Sequence, residues 1–159
     1  MNRAFLRTQD RRFTANHYTT NMQAASVTLE GTLVRLEPLS MDHLAALSEA
    51  AKEPQIWRWW TDRMETEDDM RSYIQSALDG AAAGAVMPWA TRAKTDGRLI
   101  GATRFADIQP LHRSLEIGWT WMNPAYQRSG INVEAKYLQL CHAFEEMGAR
   151  RVAFKTHHE

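Results

Sequence analysis

Residues 115–146 constrain the fold of this chain more than any other segment. An apolar run at 115–122 leads into a polar loop at 123–132 with one glycine, and an amphipathic pattern follows. We predict a strand, a loop and a helix in that order. Backbone N–H groups at a helix start lack intrahelical partners, and the helix dipole favours negative charge there. The segment therefore predicts a site for phosphate groups, such as those of a nucleotide or coenzyme A, although a glycine before a helix is also a common turn residue.

The other elements are predicted from apolar periodicity and turn residues. Thr66 before three acidic residues indicates a helix start. Asp96-Gly97 between two apolar runs indicates a β-hairpin. The predicted strands cover residues 32–37, 87–94, 98–108, 115–122 and 151–156, and the predicted helices cover residues 41–52, 67–80 and 132–147. The resulting order is β-α-α-β-β-β-α-β.

The last predicted helix carries apolar residues at a spacing that places them on one face. These residues are Val133, Tyr137, Leu140, Cys141 and Phe144. We expect this stripe to pack against the sheet. Cys141 is then a packing residue rather than a nucleophile.

The loop before that helix reads Gln127-Arg128-Ser129-Gly130-Ile131-Asn132. It resembles motif A of the GNAT superfamily of N-acetyltransferases, whose pattern is Gln/Arg-x-x-Gly-x-Gly/Ala. Asn132 stands where the family usually has a small residue, and an asparagine there can cap the helix. The resemblance runs from about Gly31 to Glu159 and is closest to the branch that includes the ribosomal-protein-alanine acetyltransferases.

The resemblance implies an α/β (α+β) fold with a mixed, mostly antiparallel central sheet flanked by helices. GNAT proteins normally continue beyond their fifth strand with a helix and two more strands. We therefore expect residues 27–159 to form a GNAT-like domain that is incomplete at its C terminus. Residues 1–26 carry four arginines against one aspartate and show no period, so we expect a poorly ordered extension.

The resemblance also implies an activity, namely transfer of an acetyl group from acetyl-CoA to a primary amine by direct attack in a ternary complex. The acceptor is a protein N-terminus or a small-molecule amine. The amides of residues 127–132 would hold the pyrophosphate, and Arg128 would either add a charged contact or remain solvated. Backbone groups at Trp121 and Met122 would hold the pantetheine arm, with an N–H near Met122 polarising the thioester carbonyl.

Glu116 lies in the middle of an apolar strand, where a carboxylate needs a partner or a function. We expect it to act as the catalytic residue that removes or relays the proton of the acceptor amine. The alternative is a structural ion pair with Arg104 or Arg113, and sequence position does not separate the two.

Tryptophans are unusually frequent, and three of them, Trp57, Trp59 and Trp60, lie almost together. In the family this region overhangs the acceptor site, so the rings are expected to form an aromatic wall for the substrate. The alternative, expected for at least one of them, is that they pin the loop to the core. Trp119 and Trp121 fall on one strand face, so the alternative for both is a role in the core.

Composition limits the class of function. Lys plus Arg and Asp plus Glu are both 19, which argues against a dedicated nucleic-acid binder. No apolar run approaches the roughly 20 residues of a membrane span, and the single Cys141 fits a reducing, cytoplasmic compartment. The cluster His157-His158-Glu159 lacks metal-ligand spacing, so no metal is expected.

A second hypothesis is a non-catalytic fragment that keeps acyl-CoA binding or only associates with itself. A last strand that ends the sheet has an unpaired edge, which invites pairing with another chain. A homodimer is therefore one expected form.

Overall fold

The computed structural model describes Met22 and residues 24–60 and 63–156. Most of the predicted extension at 1–26, and the terminal cluster at 157–159, lie outside these residues. Within the predicted extension, Met22 is buried in the core and Ala24 packs against it.

Within the described residues the chain forms six strands and three α-helices. The strands are β1 (Leu29–Glu30), β2 (Val34–Pro38), β3 (Met87–Ala93), β4 (Leu99–Gln109), β5 (Ser114–Met122) and β6 (Arg151–Phe154). The helices are α1 (Leu44–Ala50), α2 (Glu67–Ala82) and α3 (Ile131–Cys141), the last continued by a π-helical turn (His142–Glu146). The predicted order is confirmed, with the short β1 added at its start.

The strands form one sheet in the order β1-β2-β3-β4-β5-β6. All neighbours are antiparallel except β5 and β6, which are parallel. The predicted mixed, mostly antiparallel sheet is confirmed. Helices α1 and α2 cover one face of the sheet and α3 covers the other, so the central strands β3 and β4 are buried on both sides.

Local sequence signals explain where the elements begin. The Thr66 hydroxyl accepts a hydrogen bond from the Asp69 N–H at 3.1 Å, and the Asp69 carboxylate accepts one from the Thr66 N–H at 2.9 Å. This reciprocal cap fixes the start of α2. Gly97 adopts a φ of 74° in the turn between β3 and β4, as expected for a glycine in a hairpin turn. No helix among residues 22, 24–60 and 63–156 is long and apolar enough to cross a membrane.

The orientation predicted for the last helix is wrong. Val133, Tyr137 and Phe144 are 74%, 64% and 44% exposed, and Leu140 and Cys141 are half-buried. The face against the sheet instead carries small and polar residues along with one isoleucine, namely Ile131, Ala135, Gln139 and Ala143. Apolar periodicity fails here because the interior is filled by alanines and by a hydrogen-bonded glutamine.

Candidate active site

The loop between β5 and α3 presents an array of unpaired backbone N–H groups. Gly130 and Arg128 adopt left-handed φ values of 88° and 59°, which turn successive amides toward one side of the loop. Helix α3 begins at Ile131, and its first intrahelical acceptor is the Gly130 carbonyl. The amides of residues 128–130, 132 and 133 have no hydrogen-bond partner among the described residues. The loop is therefore built to receive an anion.

Side chains fix this loop to the rest of the fold. The Tyr126 hydroxyl donates to the Asp96 carboxylate at 2.5 Å, and this bond lowers the pKa of Asp96. The Asn123 side-chain amide donates to the Ala50 carbonyl at 3.0 Å, and the Ser129 hydroxyl donates to the Tyr126 carbonyl at 2.5 Å. The amide array is consequently held in a preformed shape.

Asn132 does not cap the helix as the sequence suggested. Gly130 occupies the N-cap position, and Asn132 lies one residue inside α3 with an exposed side chain. The helix start is therefore left without a side-chain cap among the described residues, so its N–H groups face outward.

A cavity of about 450 Å³ joins this loop to the tryptophan segment. It is lined by Gln55, Ile56, Trp59, Trp60, Thr120, Trp121, Met122, Gln127, Arg128 and Asn132. This cavity brings together Trp59 and Trp60, two of the three tryptophans predicted to contact the acceptor. It also includes most of the predicted cofactor residues. Ser129, Gly130 and Ile131 belong to the adjoining loop but do not line the cavity.

A β-bulge shapes the strand beside this cavity. Ala102 pairs with Trp121 and Arg104 pairs with Gly118, so Trp119 and Thr120 together oppose the single residue Thr103. Trp119 has a φ of 48° and is 42% exposed, whereas Trp121 is buried. The alternative that both are core residues is therefore wrong for Trp119, because a bulge puts it out of the regular alternation.

The far edge of β5 is open beyond this bulge. Pairing of β5 with β6 ends at Ile117, opposite Phe154. The backbone of residues 118–122 on that edge has no strand partner among the described residues. An extended ligand can therefore run along it.

Glu116 is 4% exposed, and its carboxylate lies 2.5 Å from the Lys155 Nζ. The structure shows a structural ion pair of Glu116, but its partner is Lys155 and not the expected Arg104 or Arg113. Arg113 donates to the Gly148 carbonyl, and Arg104 stacks on the Trp119 ring. Lys155 was missed because it follows β6, and parallel pairing brings β5 and β6 together without a local sequence signal. Glu116 does not line the 450 Å³ cavity.

Comparison with known proteins identifies the family. Residues 34–159 match the family described as the acetyltransferase (GNAT) domain. The chain belongs to this family. No curated protein sequence matches the chain.

Solved structures agree with this assignment. The chain is similar to a protein of T. thermophilus assigned as an acetyltransferase, with 33% identity, a TM-score of 0.71, and coverage of 83% of this chain and 68% of that one. It resembles a GCN5-related N-acetyltransferase from Brucella melitensis, with 24% identity, a TM-score of 0.74, and coverage of 82% and 60%. It also shares its fold with a ribosomal L7/L12 alpha-N-protein acetyltransferase solved with coenzyme A, at 17% identity, a TM-score of 0.69, and coverage of 80% and 73%. The chain thus spans between 60% and 73% of the length of these structures.

Trp57 differs from the other two tryptophans of its segment in this GNAT domain. It is 3% exposed, its indole N–H donates to the Ala51 carbonyl at 2.9 Å, and its ring contacts Trp60 and Trp121. This placement favours the expected pinning role for Trp57. Trp59 and Trp60 remain at the cavity.

The half-buried Lys136 was given no role from the sequence, and the buried Arg104 was considered only as a partner for Glu116. Lys136 donates from its Nζ to Thr103, Thr120 and Gln139 at 2.7–3.0 Å, and burial lowers its pKa to about 8. Arg104 is 8% exposed, and burial lowers its pKa as well. A charged residue within the apolar run of β4 was the available signal for Arg104.

Proposed function

We propose that this GNAT domain transfers an acetyl group from acetyl-CoA to a primary amine by direct attack in a ternary complex. The observation that carries the proposal is the array of amides at residues 128–130, 132 and 133 without a partner among the described residues, which adjoins a cavity walled by Trp59 and Trp60. In this arrangement the loop binds the pyrophosphate, with Arg128 as a charged contact. The pantetheine arm lies along the open edge of β5 at Trp121 and Met122.

The chemistry that follows requires one new bond and one proton transfer. The neutral amine attacks the thioester carbon, an N–C bond forms, and the C–S bond breaks to release the coenzyme A thiolate. A backbone N–H near Met122 stabilises the carbonyl oxygen as it gains charge. Glu116, which forms an ion pair with Lys155, accepts or relays the proton that the amine loses.

The acceptor is a protein N-terminus or a small-molecule amine held against Trp59 and Trp60. The shared fold with a ribosomal-protein alpha-N-acetyltransferase supports the first of these. We further propose that residues 27–159 are the functional domain, and that the protein is cytoplasmic, because one cysteine fits a reducing compartment.

A second candidate is a non-catalytic chain that binds acyl-CoA or only associates with itself as a homodimer. The exposed Val133, Tyr137 and Phe144 support it, since apolar side chains along one helix face favour association. Light scattering at several protein concentrations tests this candidate, and a concentration-independent monomer mass would exclude self-association.

Calorimetry with acetyl-CoA tests the first step of the proposal. We expect Gly130→Asp to weaken binding by roughly 100-fold, because a carboxylate would face the pyrophosphate across the amide array. Gly130→Asn is the matched control, since asparagine has the same shape, lacks the charge and tolerates the left-handed conformation. If the folded wild-type chain shows no binding heat at millimolar acetyl-CoA, the proposed function is wrong.

A further inference from the structure

A second cavity, of about 550 Å³, lies on the α1/α2 side of the sheet. It is lined by Trp60, Arg63, Met64, Asp69, Ser72, Tyr73, Ser76, Arg104 and Trp119. Trp60 lines this cavity and the 450 Å³ cavity, so the two adjoin. A ligand in the second cavity therefore lies beside the cavity that we assign to acetyl-CoA.

The wall of the second cavity contains a buried arginine, Arg104, whose Nε has no hydrogen-bond partner among the described residues. Arg104 is 8% exposed, and its Nε makes no hydrogen bond. Its guanidinium carbon lies 4.0 Å from the centre of the Trp119 ring and 5.6 Å from that of Tyr73. None of its nitrogens pairs with a carboxylate or carbonyl among the described residues. A buried guanidinium without such a partner is costly, which indicates that a ligand supplies the partner.

The acidic residue of the cavity does not serve as that partner. The Asp69 carboxylate accepts from the Thr66 N–H, the Thr66 hydroxyl and the Glu65 N–H at 2.7–3.2 Å. All three bonds fall on Oδ2, which caps α2, and the Asp69 carboxylate forms no salt bridge with Arg104. The second cation, Arg63, is exposed and lies 3.7 Å from Glu65. Among the described lining residues, Arg104 is therefore the cation without an acidic partner.

We propose that Arg104 binds a carboxylate of the amine acceptor, so that the acceptor class is amines that carry a carboxylate. A planar guanidinium matches a carboxylate with two parallel hydrogen bonds. One available cation suits a monoanion better than a phosphate dianion. The rings of Trp60, Tyr73 and Trp119 line the same cavity, and apolar surroundings strengthen an ion pair. This inference rests on the proposed acetyltransferase function for the identity of the ligand as an acceptor.

Pairs of probes that differ only in a carboxylate measure how much that carboxylate contributes to binding. One arm compares free L-amino acids with their L-amino acid amides, and the other compares the peptide amides Ala-Glu-Ala and Ala-Gln-Ala. Calorimetry gives the dissociation constants, and NMR follows the Arg104 Nε–H signal. We expect the acids in at least one arm to bind roughly 10–100-fold more tightly than their uncharged matches, as for a hydrogen-bonded charge pair. The arm that shows the preference distinguishes a free amino acid from an acidic peptide.

Variants assign the preference to Arg104. Arg104→Gln should remove it, and Arg104→Lys should reduce it because lysine lacks the planar fork. Arg71→Gln is the control, since it removes the same charge from the exposed side of α2. Equal affinity for acids and amides in the wild-type chain would overturn the inference, as would an unchanged preference in Arg104→Lys. The wild-type NMR shift decides the question even where Arg104→Gln does not fold.

Acetyl-CoA binding, measured separately, keeps the two proposals distinct. A chain that binds acetyl-CoA without a carboxylate preference retains the proposed function and loses this inference. A chain that binds carboxylates at Arg104 without binding acetyl-CoA keeps the anion site and loses the proposed function.

Discussion

The two faces of the sheet differ in whether their polar side chains have hydrogen-bond partners. On the α3 face the Lys136 ammonium has three acceptors, and the Glu134 carboxylate accepts three backbone N–H bonds from residues 32–34. Within the described residues, the buried side-chain polar atoms without a partner are Ser48 Oγ, Arg104 Nε and Trp121 Nε1. All three lie on the α1/α2 side.

This difference distinguishes polar groups that serve the fold from polar groups that are available to bind a ligand. An unsatisfied buried group costs about 1–3 kcal/mol, so a fold keeps several on one face only where something offsets the cost. The polar groups named on the α3 face have their partners within the chain. Of the unsatisfied groups on the α1/α2 face, Arg104 lines the second cavity, where a bound acceptor would complete it.

The largest expected effect concerns Glu116, which belongs to the α1/α2 face. Glu116→Gln should lower turnover by about 10²–10⁴-fold while leaving acetyl-CoA affinity nearly unchanged, because shape is kept and only proton transfer is lost. Steady-state kinetics and calorimetry measure the two quantities. Glu134→Gln is the control on the α3 face, and it should reduce stability but not turnover. Equal turnover in wild type and Glu116→Gln would return Glu116 to a structural role.

The next effect is a pH dependence caused by Lys136. Its folded-state pKa is about 8 against an ordinary 10.5, so the unfolded chain binds one more proton between these values. The free energy of unfolding should therefore rise with pH from about 8 to about 10.5, by up to about 3 kcal/mol. Below pH 8 both states are protonated, and this contribution is flat.

Lys136→Met provides the reference for this measurement. Urea denaturation of both proteins from pH 7 to 10.5 gives the difference in unfolding free energy, which cancels the titration of other groups. A difference that stays constant across the window would show that the hydrogen bonds to Thr103, Thr120 and Gln139 keep the pKa near its ordinary value.

These two faces also differ in how well the sequence predicts them. The capped start of α2, the Asp96-Gly97 hairpin and the loop at 127–132 were predicted because each depends on residues close in sequence. The orientation of α3 was not, because its buried face uses Gln139 and alanines. Gln139 is favourable there only because Lys136 and Thr103 lie beside it, and that arrangement depends on tertiary packing.

The candidate site shows the same division. The sequence predicted the anion-binding loop and the tryptophan segment. The structure places Trp59 and Trp60 at the same cavity as that loop. It did not predict the bulge at Trp119–Thr120, although Gly118 directly before it is a glycine inside a strand, which is a signal for a bulge. It considered Arg104 only as a partner for Glu116, because stacking on Trp119 depends on that bulge.

A smaller effect is expected for Glu134. Its carboxylate accepts from the N–H groups of Thr32, Leu33 and Val34 at 2.6–2.9 Å. Burial alone would raise its pKa, but these bonds outweigh burial, and the net shift is downward. Glu134→Ala should lower the free energy of unfolding by about 2 kcal/mol, measured by urea denaturation. Glu145→Ala, at an exposed glutamate, should change it by less than about 0.5 kcal/mol. Equal losses in both would mean that the α3 face does not depend on this cap.

The smallest expected effect is on Arg104 in the ligand-free chain, and it tests the comparison most directly. Arg104→Met removes a buried charge that has no hydrogen bond, and it keeps an apolar stem against Trp119 and Tyr73. The relief of desolvation and the loss of the cation–π contact oppose each other, and the latter is worth about 0.5–2 kcal/mol. The free energy of unfolding should therefore change by less than about 1 kcal/mol, by urea denaturation. A loss of several kcal/mol would show that Arg104 is satisfied within the folded chain. The partner of Arg104 would then be a group of the chain itself. The α1/α2 face would no longer differ from the α3 face in leaving a charge for the acceptor to bind.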